Sequence, residues 1–350
     1  MPNCLSLKPG SALALAGTFL FLSLAGSAQL TPSPSALADP AERRFQAVHE
    51  DWTSPALNSS HLNPDPPLEF VTDKPGFTME LVRLQWRPAD PIDVYVMKPK
   101  GVKNPPVILY LYGYPTDTDI FRNEDYENLV TRDGFAAVGF VSALTGHRYH
   151  DRPMKQWFLS ELQESLATSA HDVQMVLNYL AARGDLDMNR VGVFAQGSGA
   201  SIAILASGVD PRIKVLEALD PWGDWPKWLA ASPFVPEGER AGYLNPEFLE
   251  KVAPLDPIDW MPRIQAKRLR LDIEAFDTVT PKIAREKLQT SVLPRSNVER
   301  YKTVEDFKAA FADGKNLEWI QRELRTVATG GASVATPGGK EFEPPLSGRR

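Results

Sequence analysis

Strand-like and helix-like segments alternate along most of this chain, and this alternation limits the fold more than any other feature. Short apolar segments bounded by turn signals are typical of strands that are covered on both faces. The strand-like segments lie at 91–98, 107–112, 135–141, 190–194, 214–219, 268–273 and 297–301. Helix-like segments separate them, and the longest, Ser160–Ala182, carries its apolar residues largely on one face. The pattern predicts an α/β fold with a mostly parallel central sheet and helices on both faces.

The N-terminus has the composition of an export signal. Ser11–Ala25 is an apolar run that follows Lys8, and it is shorter than the about 20 residues that span a membrane. Small residues then allow cleavage after Ala28 or after Ala38. We therefore predict a signal peptide over 1–38 and export to the periplasm or the medium, with no membrane span after cleavage. A membrane anchor is the alternative interpretation.

The remaining chain divides into a folded unit and two flanking segments. Residues 39–68 are polar and rich in proline, which predicts an N-terminal arm on the surface. Residues 329–350 are rich in Gly, Pro and Ser and have almost no aliphatic residues, so we expect a disordered tail. The folded domain is predicted to cover 69–328, which is long enough to bury a sizeable core.

Charge and cysteine content exclude several classes of protein. The 350 residues include 38 Lys and Arg against 44 Asp and Glu, a net charge of −6. Nucleic acids and anionic membranes are bound through concentrated positive charge, so we expect neither as a partner. The single cysteine, Cys4, excludes a disulfide framework and a thiolate-rich metal site.

The histidines and glycines do not form a metal or cofactor motif. His147, His150 and Asp151 come closest to a metal-binding spacing, but they do not match the H-E-x-x-H pattern. The glycines of 197–199 are too few for a dinucleotide-binding fingerprint, and no phosphate-binding G-x-x-x-x-G-K occurs. We therefore predict no metal and no cofactor.

Four predicted strands are followed by distinctive loops, and loops at the carboxyl ends of parallel strands carry function. Their sequences are GYP at 113–115, AQGSGA at 195–200, DPWGDW at 220–225 and AFDTVTP at 275–281. In this order they resemble the α/β-hydrolase superfamily, particularly its dienelactone-hydrolase and prolyl-oligopeptidase-like branch, over about 69–325. The resemblance implies an α/β-hydrolase fold, and we expect a short helical insertion between Trp222 and Gln265.

The resemblance implies a catalytic triad in the order Ser, Asp, His, and this chain departs from it at the nucleophile. Asp277 matches the acid that orients the histidine. The elbow of the family reads G-x-S-x-G, and aligning it on the preceding strand puts Gly197 at the apex where serine belongs. Ser198 comes one residue late. The hydroxyl nucleophile is therefore missing from its expected position.

Further pocket residues follow from the same resemblance. Backbone N–H groups of Ser198 and of the loop around Tyr114 would hold an oxyanion. Tyr112 and Gly113 stand where the family commonly has His-Gly. Among the tryptophans of the third loop, Asp220 and Trp222 are candidates to line the pocket, although tryptophan-rich loops also cap cores.

The histidine of the triad is also missing. No histidine follows His171, so none follows Asp277. Residues 302–307, after the last strand, offer acids, which do not replace an imidazole at neutral pH. His147 or His150, in the loop after the predicted strand that ends at Val141, could serve as a relocated base for Ser198; the alternative interpretation is that they are exposed loop histidines.

Two functional hypotheses follow. In the first, the chain is a non-catalytic or only residually active relative of serine esterases and peptidases, with a pocket for a small-molecule or peptide ligand. In the second, it is an active serine hydrolase that uses Ser198 as nucleophile with His147 as base. We favour the first, because the members of a triad act as a unit and losing them costs several orders of magnitude in rate.

Overall fold

The structure is a computed structural model, and it describes residues 50–57, 68–87, 90–116, 118–144, 148, 159–292 and 297–329. The predicted signal peptide, most of the arm, nearly all of the tail, and His147 and His150 lie outside the described residues. Within the described ranges, no helix is long and apolar enough to cross a membrane.

One mixed sheet runs through the described part of the chain, with the strand order β1-β2-β3-β5-β4-β6-β7-β8-β9. Neighbours from β5 to β9 in this order pair in parallel, whereas β1, β2 and β3 add an antiparallel edge beside β5. The strands are β1 Leu68–Asp73, β2 Phe77–Leu84, β3 Ile92–Pro99, β4 Pro106–Leu111, β5 Ala136–Phe140, β6 Asp187–Gln196, β7 Ile213–Leu219, β8 Arg268–Glu274 and β9 Asn297–Tyr301. The predicted mostly parallel sheet is confirmed.

The sequence pattern does not predict the first two strands. Most of β1 is exposed and β2 mixes buried with half-buried positions, so neither has the continuous apolar run of a doubly covered strand. They form a hairpin whose turn is closed by a bond from the Lys74 N–H to the Phe77 carbonyl (3.0 Å). Pairing with β3, rather than local hydrophobicity, holds β2 in the sheet.

Helices cover both faces of the sheet and also form the predicted insertion. They are α1 Glu124–Thr131, α2 Leu162–Arg183, α3 Ser198–Val209, α4 Trp225–Ala231, α5 Arg240–Tyr243, α6 Pro246–Val252, α7 Pro257–Trp260, α8 Lys282–Ser291, α9 Val304–Ala312 and α10 Lys315–Thr329. The short helices α4 to α7 lie between β7 and β8, so the expected insertion before the acid-bearing strand is confirmed. The helix predicted over Ser160–Ala182 corresponds to α2, Leu162–Arg183.

Two hydrophobic clusters pack against opposite faces of the sheet, and β4 shows how one strand serves both. Val107, Leu109 and Leu111 belong to the larger cluster with α2 and α3. Ile108 and Tyr110 belong to the smaller cluster with α1 and α10. Because side chains alternate across a strand, a continuous apolar run fills two layers at once.

The parallel direction of β4, β6, β7 and β8 brings the four predicted loops to one edge of the sheet. Backbone bonds join neighbouring strand ends there: the Gly197 N–H donates to the Leu219 carbonyl (2.9 Å), and the Asp220 N–H donates to the Asp272 carbonyl (3.0 Å). The strand-end loops are thus held together by the sheet itself.

Candidate functional site

A sharp turn from β6 into α3 has Gly197 at its apex. Gly197 has φ 56° and ψ −124°, a backbone conformation that strains any residue with a side chain but that glycine adopts readily. Its carbonyl accepts the Ser201 N–H (3.2 Å), which begins the helix directly after the turn. The backbone here has the form of a nucleophile elbow, with a hydrogen atom in place of the side chain.

Close backbone packing surrounds this apex. A Cβ atom at Gly199 would lie 2.2 Å from the Leu111 carbonyl oxygen, and one at Gly113 would lie 2.9 Å from the Gln196 carbonyl oxygen. Both positions therefore require glycine. At Gly197 itself, a Cβ would meet the Trp222 Nε1 at 3.5 Å, which is an ordinary contact. The apex thus has room for a side chain that the sequence does not supply.

The Ser198 hydroxyl is bound to the backbone of the neighbouring loop. Ser198 is fully buried, and its Oγ accepts the Tyr114 N–H at 2.8 Å. That N–H is the group expected to hold an oxyanion, and its hydrogen bond is instead made to the Ser198 hydroxyl. For Ser198 to attack a substrate, its hydroxyl would have to leave this bond and a buried position.

A cavity of about 160 Å³ lies beside the apex. Most of the residues that the sequence predicts for the site line this cavity. Ser198 and Tyr112 are predicted site residues that do not line it. The predicted residues that do line it are Gly113, Tyr114, Gly197, Asp220, Trp222 and Asp277. His147 lies outside the described residues.

Aromatic side chains form part of the cavity wall. Trp222 stacks on Trp228 with ring centroids 4.7 Å apart, and Phe234 packs edge-on against Trp222 at 5.6 Å. Tyr114 packs on Phe234, also at 5.6 Å. The Tyr112 ring belongs instead to the smaller hydrophobic cluster, next to Tyr126, because it continues the alternation that places Ile108 and Tyr110 of β4 on that face of the sheet.

Asp277 and Asp220 reach the cavity from neighbouring strands. The Asp277 carboxylate accepts the backbone N–H groups of Val279 (2.8 Å) and Thr280 (3.0 Å), and so closes the loop after β8. Asp220 has φ 43°, and its carboxyl accepts the Glu274 N–H (3.0 Å). Burial, together with the nearby negative charges of Asp277 and Glu274, raises the pKa of Asp220 to about 9.

A third carboxyl group, Glu274, is not among the residues that the sequence predicts. Glu274 is the last residue of β8, and burial and the charge of Asp277 raise its pKa to about 7. Its place at the carboxyl end of a parallel strand is the signal that could have identified it. Among the residues described, no group of three or more His, Cys, Asp or Glu side chains has the arrangement of a metal site.

Comparison by sequence does not assign the chain to a family, since no protein-family model and no curated protein matches it at a significant level. Comparison by structure finds many solved proteins with the same architecture. One is the acetyl xylan esterase from Paenibacillus sp. R4, with a TM-score of 0.57 and 19% identity over 74% of this chain and 88% of that chain.

Two others have the same fold with equally distant sequences. Acetyl xylan esterase 1 from Thermoanaerobacterium sp. JW/SL YS485 has a TM-score of 0.60 and 14% identity over 75% of this chain and 90% of that chain. The acylaminoacyl peptidase of Pyrococcus horikoshii has a TM-score of 0.53 and 14% identity, covering 77% of this chain and 44% of that chain. Because the sheet order, the elbow and these similarities agree, the chain has the α/β-hydrolase fold.

Proposed function

We propose that this protein is an exported member of the esterase- and peptidase-like α/β-hydrolases that has lost serine-triad catalysis and binds a ligand in the cavity beside Gly197. The observation that carries the proposal is the glycine at the apex of an otherwise intact elbow. An elbow without a nucleophile keeps the pocket and its backbone donors but cannot form an acyl-enzyme.

Two further observations support the loss of catalysis. The Oγ atom of Ser198 is bonded to the Tyr114 N–H, and the side chain is fully buried. The sequence has no histidine after His171, so the usual proton acceptor after the last strand is missing. A single missing member of a triad lowers the rate by several orders of magnitude, and here two positions are changed.

The test compares wild-type protein with a Ser198→Ala variant in hydrolysis of an activated ester and in labelling by a fluorophosphonate. We expect no labelling of Ser198 and the same background hydrolysis in both proteins. Ser207→Ala is the matched control, because Ser207 is a buried serine of the same helix α3. Hydrolysis that Ser198→Ala abolishes and Ser207→Ala preserves would overturn the proposal.

That result would favour the second hypothesis, an active hydrolase with Ser198 as nucleophile and His147 as base. Asp277 supports it, because this acid lines the same cavity as Gly197. The esterases and peptidases of the same fold support it also. A His147→Ala variant would then lose the same activity, with a pH–rate profile that no longer shows a basic group titrating near neutral pH.

Export is the part of the proposal that rests on sequence alone. The apolar run Ser11–Ala25 and the small residues after it support cleavage after Ala28 or Ala38. Expression of the full chain in a bacterial host, followed by N-terminal sequencing of the extracytoplasmic fraction, tests this. Recovery of the uncleaved chain in the membrane fraction would favour the anchor interpretation instead.

A further inference from the structure

The cavity beside Gly197 brings three carboxyl groups into a space of about 160 Å³. Asp220 follows β7, Glu274 ends β8, and Asp277 lies in the loop after it. Like charges that line one cavity repel each other, most of all where water is partly excluded. Such a cluster needs a compensating positive charge or bound protons.

The positive charge of Arg285 opposes the rise in the pKa of Asp220 only in part, and its hydrogen bonds near the cluster are to the main chain. Arg285, on α8, donates through its Nη1 to the backbone carbonyls of Glu274 (2.9 Å) and Asp277 (2.8 Å). Its hydrogen bonds therefore stabilise the main chain of the loop. The phenol of Tyr114, whose pKa burial raises, is neutral at physiological pH and adds no charge.

Two of the carboxyl groups, those of Asp220 and Glu274, hold protons instead. Burial and mutual repulsion raise the pKa of Asp220 to about 9 and that of Glu274 to about 7. At neutral pH, the first is therefore protonated and the second is partly so. A cation placed among them would favour their ionised forms and would displace these protons.

The rest of the cavity suits an organic cation, and this observation is independent of the charges. Trp222, Phe234 and Tyr114 line the same space, and aromatic rings attract alkylammonium groups and cover their carbon atoms. The glycine at 197 leaves open the volume next to the Trp222 Nε1 that a side chain would fill. The cavity therefore offers carboxyl acceptors, aromatic surface and space in one place.

We propose that this cavity binds a small organic ammonium ion, whose N–H groups donate to Glu274 and Asp277 and whose hydrocarbon part packs against Trp222 and Phe234. The inference rests on the proposed function, because an active hydrolase would use the same space for its acyl substrate. A neutral polyol would find hydrogen-bond acceptors here but would not favour the ionised carboxylates as a cation does, and an anion would be repelled by them.

The test uses benzylammonium as the probe and benzyl alcohol as its neutral isostere. Isothermal titration calorimetry is run on the purified protein at about pH 7, in two buffers of different ionisation enthalpy. We expect benzylammonium to bind at least about tenfold more tightly, as one charge-assisted hydrogen bond provides. We also expect the measured heat to differ between the buffers, because binding releases protons from the carboxyl groups.

Three variants connect the binding to the residues. Glu274→Gln keeps the shape of the side chain and removes its charge, so it should weaken benzylammonium binding by about tenfold or more and reduce the proton release. Glu286→Gln is the matched control: Glu286 is an exposed carboxylate of α8 paired with Lys282, and its loss should change neither. Gly197→Ala fills part of the cavity and should weaken binding without affecting the charge.

Equal affinity for benzylammonium and benzyl alcohol, or unchanged binding by Glu274→Gln, would overturn the inference. Absence of binding by both probes would do the same. These outcomes are separate from the proposed function, which the Ser198-dependent hydrolysis assay tests. Hydrolysis dependent on Ser198 would remove the proposed function, whereas a failed titration of a protein without such hydrolysis would remove only the ammonium site.

Discussion

Gly197 and Gly199 are two residues apart, yet they tolerate a side chain to opposite degrees. A Cβ at Gly197 meets only ordinary contacts, but the backbone there has φ 56°. Gly199 has ordinary helical geometry in α3, but its Cβ would lie 2.2 Å from the Leu111 carbonyl oxygen. The first glycine relieves backbone strain, and the second allows the helix to contact the end of β4.

This difference predicts that alanine destabilises the protein more at position 199 than at position 197. Helix propensity alone would predict the opposite order, because position 199 lies within α3. We expect Gly197→Ala to lower the free energy of unfolding by about 1–3 kcal/mol through strain at positive φ. Gly199→Ala should lower it by more, about 3 kcal/mol or above, because backbone must move, although alanine ordinarily stabilises a helix. Urea denaturation measures both. Gly242→Ala, in α5 with nothing near its Cβ, is the control and should be neutral or stabilising.

Asp220 makes stability depend on pH in a direction opposite to that of a salt-bridged aspartate. In the folded protein its pKa is about 9, whereas an unfolded aspartate titrates near about 4. The folded state therefore binds more protons between these values, so the free energy of unfolding falls as pH rises through this interval. Glu274, with a pKa of about 7, acts in the same direction over a narrower interval.

An Asp220→Asn variant tests this directly. Asparagine cannot ionise, and its side-chain oxygen can still accept the Glu274 N–H. We expect its free energy of unfolding to fall less than that of wild type between about pH 5 and about pH 9. Urea denaturation across this range makes the comparison. Curves of equal slope for the two proteins would contradict the assignment of a raised pKa to Asp220.

At the scale of elements, helix α2 holds residues 50–57 of the N-terminal arm through two buried side chains, His171 and Gln174. The His171 Nδ1 lies 3.0 Å from the Glu50 Oε1, and its Nε2 lies 3.1 Å from the Ser54 carbonyl oxygen. Both partners are acceptors, so the ring donates at both nitrogens when it is protonated. One turn further along α2, Gln174 donates to the Pro55 carbonyl.

These bonds predict that His171 fastens residues 50–57 to the domain. We expect His171→Ala to lower the free energy of unfolding by about 1–3 kcal/mol, because buried acceptors lose their donors. It should also speed proteolytic cleavage within residues 50–57, which mass spectrometry of the fragments measures. Asn178→Ala is the matched control: Asn178 lies on the same helix but bonds to Arg212. Equal cleavage rates in the two variants would contradict this role.

At the scale of the whole molecule, the two hydrophobic clusters share the central strands. Leu166 on α2 is buried in the larger cluster, and Ile320 on α10 is buried in the smaller one. Helix α10 lies directly on β6, where a Cβ at Gly192 would be 3.0 Å from the Ile320 Cδ1. Neither cluster can lose its packing without exposing strands that the other cluster also covers.

We therefore predict that the two clusters unfold together. Leu166→Ala and Ile320→Ala should each lower the free energy of unfolding by about 2–5 kcal/mol, and neither should separate the transition into two steps. Far-ultraviolet circular dichroism and tryptophan fluorescence follow the same urea titration. Because most buried tryptophans belong to the larger cluster, a fluorescence midpoint that differs from the dichroism midpoint would show that the clusters unfold independently.

The sequence predicts the covered strands closely, because each is a short apolar run. The predictions for β4, β5, β7 and β8 differ from the structure by one residue at one or both ends. The predicted segment at 297–301 coincides with β9, although β9 lies at the edge of the sheet and is mostly exposed. The first two strands are missed, because an antiparallel edge with one exposed face leaves no continuous apolar run. Their place in the sheet depends on pairing with β3, which is a long-range contact.

For the candidate site, too, some features can be read from the sequence and others only from the structure. The glycine at the apex of the elbow, the absence of a histidine after Asp277 and the order of the four loops are properties of the sequence alone. The sequence does not show that the Tyr114 N–H bonds to Ser198. Nor does it show that Glu274 shares one cavity with Asp220 and Asp277. Local sequence determines backbone conformation and which chemical groups exist. Only the tertiary structure decides which of them share a space, because strands far apart in sequence must first align in one sheet, and burial then sets their charges.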